Sequence, residues 1–197
     1  MTKPEAVIYL AETRTHIQDS EHRSYQTLRQ PFFNLTTFND ETLAAGASVE
    51  HEAPALIIPL VGDIVTTERL EVGSAQVIFD RFNITNPHQE EPVNYLYIGL
   101  RLNGPATIVD FNLGQNSLSE IIPGHRCYMG KYDGRRGDVY KLSEEAAGVF
   151  VFVVEGAFEA ADRLLQPRDG LGLWNVKEVE FEALSSDAIL MMIEVTA

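Results

Sequence analysis

Apolar residues in this chain come in short runs separated by turn residues, and the runs favour Val, Ile, Phe and Tyr. That texture predicts strands, because β-branched and aromatic side chains suit a pleated surface and Gly, Pro, Asn and Asp punctuate it. Ala6–Ala11, Pro31–Phe38, Leu56–Val61, Gln76–Phe79 and Asn94–Leu100 read as strands of the first half. Pro59 lies inside the third run and has no N–H to give a ladder, which predicts an edge or a bulge there. In the second half, Val149–Val154 is apolar at every position, as expected of a strand covered on both faces. Ala188–Ile193 reads the same way. Glu178–Leu184 alternates, with Val179, Phe181 and Ala183 on one face and three Glu on a solvated one. Helical spacing is confined to Glu41–Ala45 and Ala157–Leu165, and the second reads better as a hairpin. The pattern predicts an all-β fold.

Comparing the chain with itself sharpens that expectation. Pro59-Leu-Val-Gly-Asp63, Arg69-Leu-Glu-Val-Gly73 and Gln76-Val-Ile-Phe79 recur as Val153-Val-Glu-Gly-Ala157, Arg163-Leu-Leu-Gln-Pro-Arg-Asp-Gly170 and Leu171-Gly-Leu-Trp174. Each unit is an apolar strand, a Gly turn, a short polar strand, a second turn with Gly and another apolar strand. Gly62 and Gly156 would supply positive φ at the first turn, and Gly73 and Gly170 at the second. Two such units in phase suggest duplication, with a domain over residues 1–110 and another over 111–197. Asn103–Gly137 would connect the halves and add edge strands.

Composition narrows the function classes. Hydrophobic residues make 45% of 197 positions, ordinary for a globular protein and too apolar for wholesale disorder. No window of about 18 apolar residues exists, so no membrane span is expected. The single cysteine, Cys127, and the lack of a secretory signal near Met1 suit the cytoplasm. The net charge is -14, and the longest basic run, Arg135-Arg136, lies between Asp133 and Asp138. Nucleic acid is therefore not an expected partner. No Gly-x-Ser-x-Gly elbow, Gly-x-Gly-x-x-Gly loop or Walker sequence is present. His16, His22 and His125 stand singly in polar segments and read as solvated. Trp174 reads as core.

The repeated unit resembles the core of a cupin barrel. Val151-Phe-Val-Val-Glu-Gly-Ala-Phe-Glu159, Asp169-Gly-Leu-Gly-Leu-Trp174 and Leu184-Ser-Ser-Asp-Ala-Ile-Leu190 resemble the second barrel of pirin-like bicupins, which include quercetin 2,3-dioxygenase-like proteins. Val7-Ile-Tyr-Leu10 and Ser24-Tyr-Gln-Thr-Leu28 resemble their opening segments. The resemblance implies two cupin barrels of double-stranded, jelly-roll-like topology, with any catalysis in the first. It also implies one divalent metal, Fe, Ni, Cu, Mn or Zn, held by His-x-His on one strand and His-x-Glu on another.

This chain departs from that ligand set. The first pair falls near Val49-Glu-His51, where one imidazole remains, and the second at Asn86-Pro-His88. The corresponding positions of the second barrel, Ser143 and Glu145, offer no imidazole. His51 and His88 are expected to face a common cavity, with Glu50 or Glu52 as the available carboxylates. Strand alternation turns both Glu away whenever His51 faces inward. No metal or other cofactor is therefore expected. The favoured function is non-catalytic binding of a small molecule or a protein partner. The alternatives are a quercetinase-type dioxygenase with an unusual ligand set, and a structural or regulatory scaffold.

Overall fold

The structure, a computed structural model, describes residues 5–101 and 105–197. It divides into two compact units: Arg14–Phe111, and Asn112–Ala197 together with the residues up to Thr13. Strands of the first part of the chain are β1 (Glu5–Tyr9), β2 (Thr15–Gln18), β3 (His22–Gln26), β4 (Leu35–Leu43), β5 (Ser48–His51) and β6 (Ala55–Val61). They continue as β7 (Ile64–Val65), β8 (Arg69–Leu70), β9 (Ser74–Ile78), β10 (Phe82–Thr85), β11 (Val93–Leu100) and β12 (Thr107–Asp110). The rest are β13 (Ser117–Ile122), β14 (Cys127–Tyr132), β15 (Gly137–Lys141), β16 (Gly148–Glu155) and β17 (Phe158–Ala160). The chain ends with β18 (Arg163–Leu165), β19 (Gly170–Trp174), β20 (Glu178–Ala183) and β21 (Ala188–Val195). A 3-10 turn at Ala11–Thr13 is the only helix among the described residues.

In the first unit a seven-stranded sheet, β12-β9-β6-β11-β4-β3-β2, faces a four-stranded one, β5-β10-β7-β8. Leu43, Ile57 and Tyr95 from the larger sheet meet Ile64, Leu70, Phe82 and Ile84 from the smaller in one buried cluster. Pro59 sits in β6, between β9 and β11, and the ladder to β11 shifts register there, with Val61 opposite Asn94 and Pro59 opposite Tyr95. It is the bulge, not an edge. Glu41–Ala45, whose spacing looked helical, belongs instead to β4 and the turn after it, because Asn39, Glu41 and Leu43 find ladder partners on both sides.

The second unit repeats the plan with a six-stranded sheet, β1-β19-β16-β21-β14-β13, and a four-stranded one, β15-β20-β17-β18. Val149, Val151 and Val153 of β16 face the interior beside Leu171, Leu173 and Phe181. Phe150 and Phe152 point to the other face, and both are fully buried. Ala157–Leu165 forms the hairpin of β17 and β18. On β20 the Glu residues lie outside and Val179, Phe181 and Ala183 inside, as alternation requires.

Three expectations need correction. The domain boundary near residue 110 holds only for the later chain, because β1 pairs with β19 in the second unit, from Glu5 opposite Trp174 to Tyr9 opposite Gly170. The Ala11 N–H also donates to Asp169 Oδ1 at 2.7 Å, pinning the end of this strand. Trp174 is half-buried rather than core: it alternates away from Leu173, and its indole N–H donates to Glu5. Gly62 and Gly156 do take positive φ, +70° and +74°. At the second turn of the second half, however, Arg168 rather than Gly170 carries the positive φ.

Candidate functional site

Strand register assembles a polar row inside the first unit. Ser24 lies opposite Glu41 across β3 and β4, and Tyr95 lies opposite Glu41 across β4 and β11. One step along, Asn39 lies opposite Tyr97. These side chains share the inward face because alternate residues of a strand do. Glu41, 1% exposed, accepts from the Ser24 hydroxyl at 3.0 Å, the Asn39 amide at 2.9 Å and His22 Nε2 at 2.6 Å. His22 is half-buried, and the bond to Glu41 raises its pKa above the ordinary histidine value.

His51 enters from the other sheet. It is buried at the end of β5 opposite Phe82, and its Nε2 is 2.8 Å from the Tyr95 hydroxyl. Its ring stacks on Tyr97, with centroids 4.4 Å apart, and meets His22 edge-on at 6.5 Å. Burial pushes its pKa down to about 4; Glu41 pulls the other way and His22 adds to the depression. The Tyr97 hydroxyl donates to the Glu52 carbonyl at 2.9 Å, which fixes the ring over His51. Tyr95, fully buried, has its own pKa raised by burial.

The other candidate ligands are elsewhere or engaged. Glu50 and Glu52 point outward, and both pair with Arg81 at exposed positions. The Asn86 amide donates to the carbonyls of Leu43, Ala44 and Glu91, and its Oδ1 accepts the His88 N–H, so it staples a loop. The His88 carbonyl accepts from Gly46 N–H, at the opposite end of β5 from His51. The length of β5 at roughly 3.3 Å per residue puts the two histidine backbones on the order of 10 Å apart along the strand direction. His88 Nε2 is buried without a hydrogen-bond partner and lies beside Gly62. The expectation of a shared His51–His88 cavity gives way to a different pairing, His51 with His22.

Tested against a divalent ion, these residues do not fit. The positions where the resemblance expects ligands present Val49, a committed His51, a committed Asn86 and one free imidazole nitrogen at His88. Among the described residues no three His, Cys, Asp or Glu side chains are placed to hold a metal. A catalytic ion ordinarily keeps about three protein ligands.

The second unit has its own buried carboxylate. Glu194 accepts from the Ser143 N–H at 2.8 Å, the Ser143 hydroxyl at 2.6 Å, the Tyr140 hydroxyl at 2.8 Å and Arg126 at 3.1 Å. Burial alone would raise its pKa, but these donors together hold it below the ordinary carboxylate value. Glu145 pairs with Arg126 at the surface. Cys127 is fully buried, and burial pushes its thiol pKa up, which makes it inert.

Residues 114–195 match the family of quercetinase C-terminal cupin domains. The whole chain superimposes on bacterial pirin YhhW from Escherichia coli in complex with nickel(II), with a TM-score of 0.82, 16% identity and coverage of 98% of this chain and 100% of that one. The chain has the fold of a pirin-like bicupin. It also shares its fold with quercetin 2,3-dioxygenase from Acinetobacter baumannii, with a TM-score of 0.72, 11% identity and coverage of 99% and 88%. No curated protein sequence matches it. At these identities the solved structures establish the bicupin fold, while the residues inside the first barrel are this chain's own. No helix among the described residues is long and apolar enough to cross a membrane.

The sequence reading missed His22, Glu41, Tyr95 and Tyr97. A signal was present: His22, Ser24 and Gln26, then Asn39 and Glu41, put polar residues at every second position of two neighbouring segments. Arg23 and Asp40 between them, and Thr42 after Glu41, are polar as well, so the local pattern does not tell which face meets water and which a polar interior.

Proposed function

We propose that this bicupin is a binding protein whose first barrel recognises a small molecule without transforming it. The observation that carries this reading is the mutual engagement of the interior polar groups: Glu41 with His22, Ser24 and Asn39, and His51 with Tyr95 and Tyr97. Such a set supplies directional hydrogen bonds and aromatic faces, the usual furniture of a recognition site. It offers no activated nucleophile, and its one strongly depressed base, His51, is shielded by Tyr97.

The test is a small-molecule library screened by thermal shift on the full chain and on His51→Gln. A ligand that binds the folded state raises the melting temperature by mass action. Compounds that stabilise the wild type, lose the effect in His51→Gln and emerge chemically unchanged support the reading. Turnover or dioxygen uptake with such a compound would replace it by the dioxygenase. A screen without hits, alongside a protein partner captured by the intact chain, would replace it by the scaffold.

A further inference from the structure

A metal ion inside a barrel ties together strands that face one another, and it neutralises the carboxylate that helps to hold it. Metal affinity of this kind is also folding free energy. Bacterial pirin YhhW, which shares this fold, was solved in complex with nickel(II). In this chain both tasks fall to side chains. The Tyr95 hydroxyl on the larger sheet meets His51 Nε2 on the smaller one at 2.8 Å, which joins the two sheets directly. His22 Nε2 meets Glu41 Oε2 at 2.6 Å, which sets an imidazole against the one buried carboxylate of the cluster. Ser24 and Asn39 occupy the other oxygen.

We propose that the network of His22, Glu41, His51 and Tyr95 replaces the metal ion as the internal cross-link of the first barrel, whose fold therefore needs no ion. The surroundings favour this arrangement. An ion arriving at His51 would have to break the Tyr95 bond and draw Glu41 away from three donors. It would also sit beside Val49 and Phe82, which are apolar and face the same interior. The nearest other imidazole, His22, is edge-on and already committed. This cross-link is distinct from ligand recognition, because the Tyr95–His51 bond joins the two sheets of the barrel to each other.

The experiment uses the full chain and nickel(II) alone as probe. Histidine ring signals are followed by NMR during the titration, and melting temperatures are recorded with nickel, with chelator and with neither. The expected result is no broadening of the His51 and His22 signals at stoichiometric nickel and one melting temperature in all three conditions. Tyr95→Phe and Glu41→Gln should melt lower than wild type, by several degrees for Tyr95→Phe, and equally with or without chelator. Broadening confined to other histidines agrees with the proposal. Stoichiometric uptake that broadens His51 and raises the melting temperature would overturn it. So would a Tyr95→Phe protein as stable as wild type, and this mild variant keeps the test decisive should Glu41→Gln fail to fold.

Discussion

Each unit buries a glutamate on its larger sheet, and the two are held by different chemistry. Glu194 on β21 is held by Arg126, Tyr140 and both polar groups of Ser143. Glu41 on β4 is held by Ser24, Asn39 and His22, with His51 and Tyr95 alongside. In both units a tyrosine links the sheets: Tyr140 of β15 reaches Glu194, and Tyr95 of β11 reaches His51 of β5. A guanidinium keeps its charge at every pH at which proteins fold. Imidazoles change theirs near neutrality. The second network is thus a fixed strut. The first changes charge with conditions, and the rings of Tyr95 and Tyr97 pack against its His51.

The largest expected effect comes from breaking the strut. Glu194→Ala strands Tyr140, Ser143 and Arg126, and removing one partner of a buried pair costs about 3–5 kcal/mol. The lower end applies because the Arg126 side chain is 38% exposed and can be hydrated. Calorimetry should show a melting temperature lower by roughly 10 °C. A loss below about 1 kcal/mol would mean that the network contributes no more than an ordinary hydrogen bond.

The next effect separates the two networks by pH. Folded His51 has a pKa of about 4 against 6.5 unfolded. Between those values the unfolded chain binds a proton that the folded chain refuses, so acidification across this window removes about 3 kcal/mol. His22 has the opposite sign. Its folded pKa is raised, so its contribution is complete below the unfolded 6.5 and fades as pH climbs through the folded value. The first unit should therefore be most stable near pH 6.5 and weaken on both sides. Glu194, held below the ordinary carboxylate value, contributes above that value and loses its contribution only in stronger acid. Denaturant unfolding at a series of pH values, read from NMR signals of each unit, checks this. His51→Gln should flatten the acid limb and His22→Gln the alkaline limb; unchanged profiles in both would contradict the assignment.

How much of this the sequence disclosed follows from which side chains report burial. Val149–Val154 and Glu178–Leu184 announced the second barrel because apolar spacing reveals which face is hidden. His22 went unread because Glu21, Arg23 and Ser24 around it are polar, and Glu41 because Glu41–Ala45 looked helical locally. Glu41 is buried, and His22 half-buried, because β4 pairs with β3 on one side and β11 on the other, and nothing in a local window carries that information. His51 and His88 were noticed by position, yet their partners depend on a turn of the ladder that places Gly46 between them.

Smaller effects sharpen the contrast. Gly156→Ala would put a Cβ 2.6 Å from Ala188 Cβ at a φ of +74°, and should cost roughly 1–3 kcal/mol by urea unfolding. On the outer face of the second unit Glu159 lies directly opposite Glu182, and like charges so placed repel. Glu182→Lys should gain about 0.5 kcal/mol, an increment that added salt diminishes. Arg81→Ala, which removes the exposed pairs with Glu50 and Glu52, should change stability by less than about 0.5 kcal/mol.

The central claim is that His51 and His22 form one interior cluster closed by Tyr95 and Glu41. An NMR titration of the histidine ring carbons in the intact protein tests it most directly. The account predicts that one imidazole, lost in His51→Gln, stays neutral down to about pH 4, while another, lost in His22→Gln, titrates above 6.5. Two imidazoles titrating together near the ordinary histidine value would show both rings in water and contradict it.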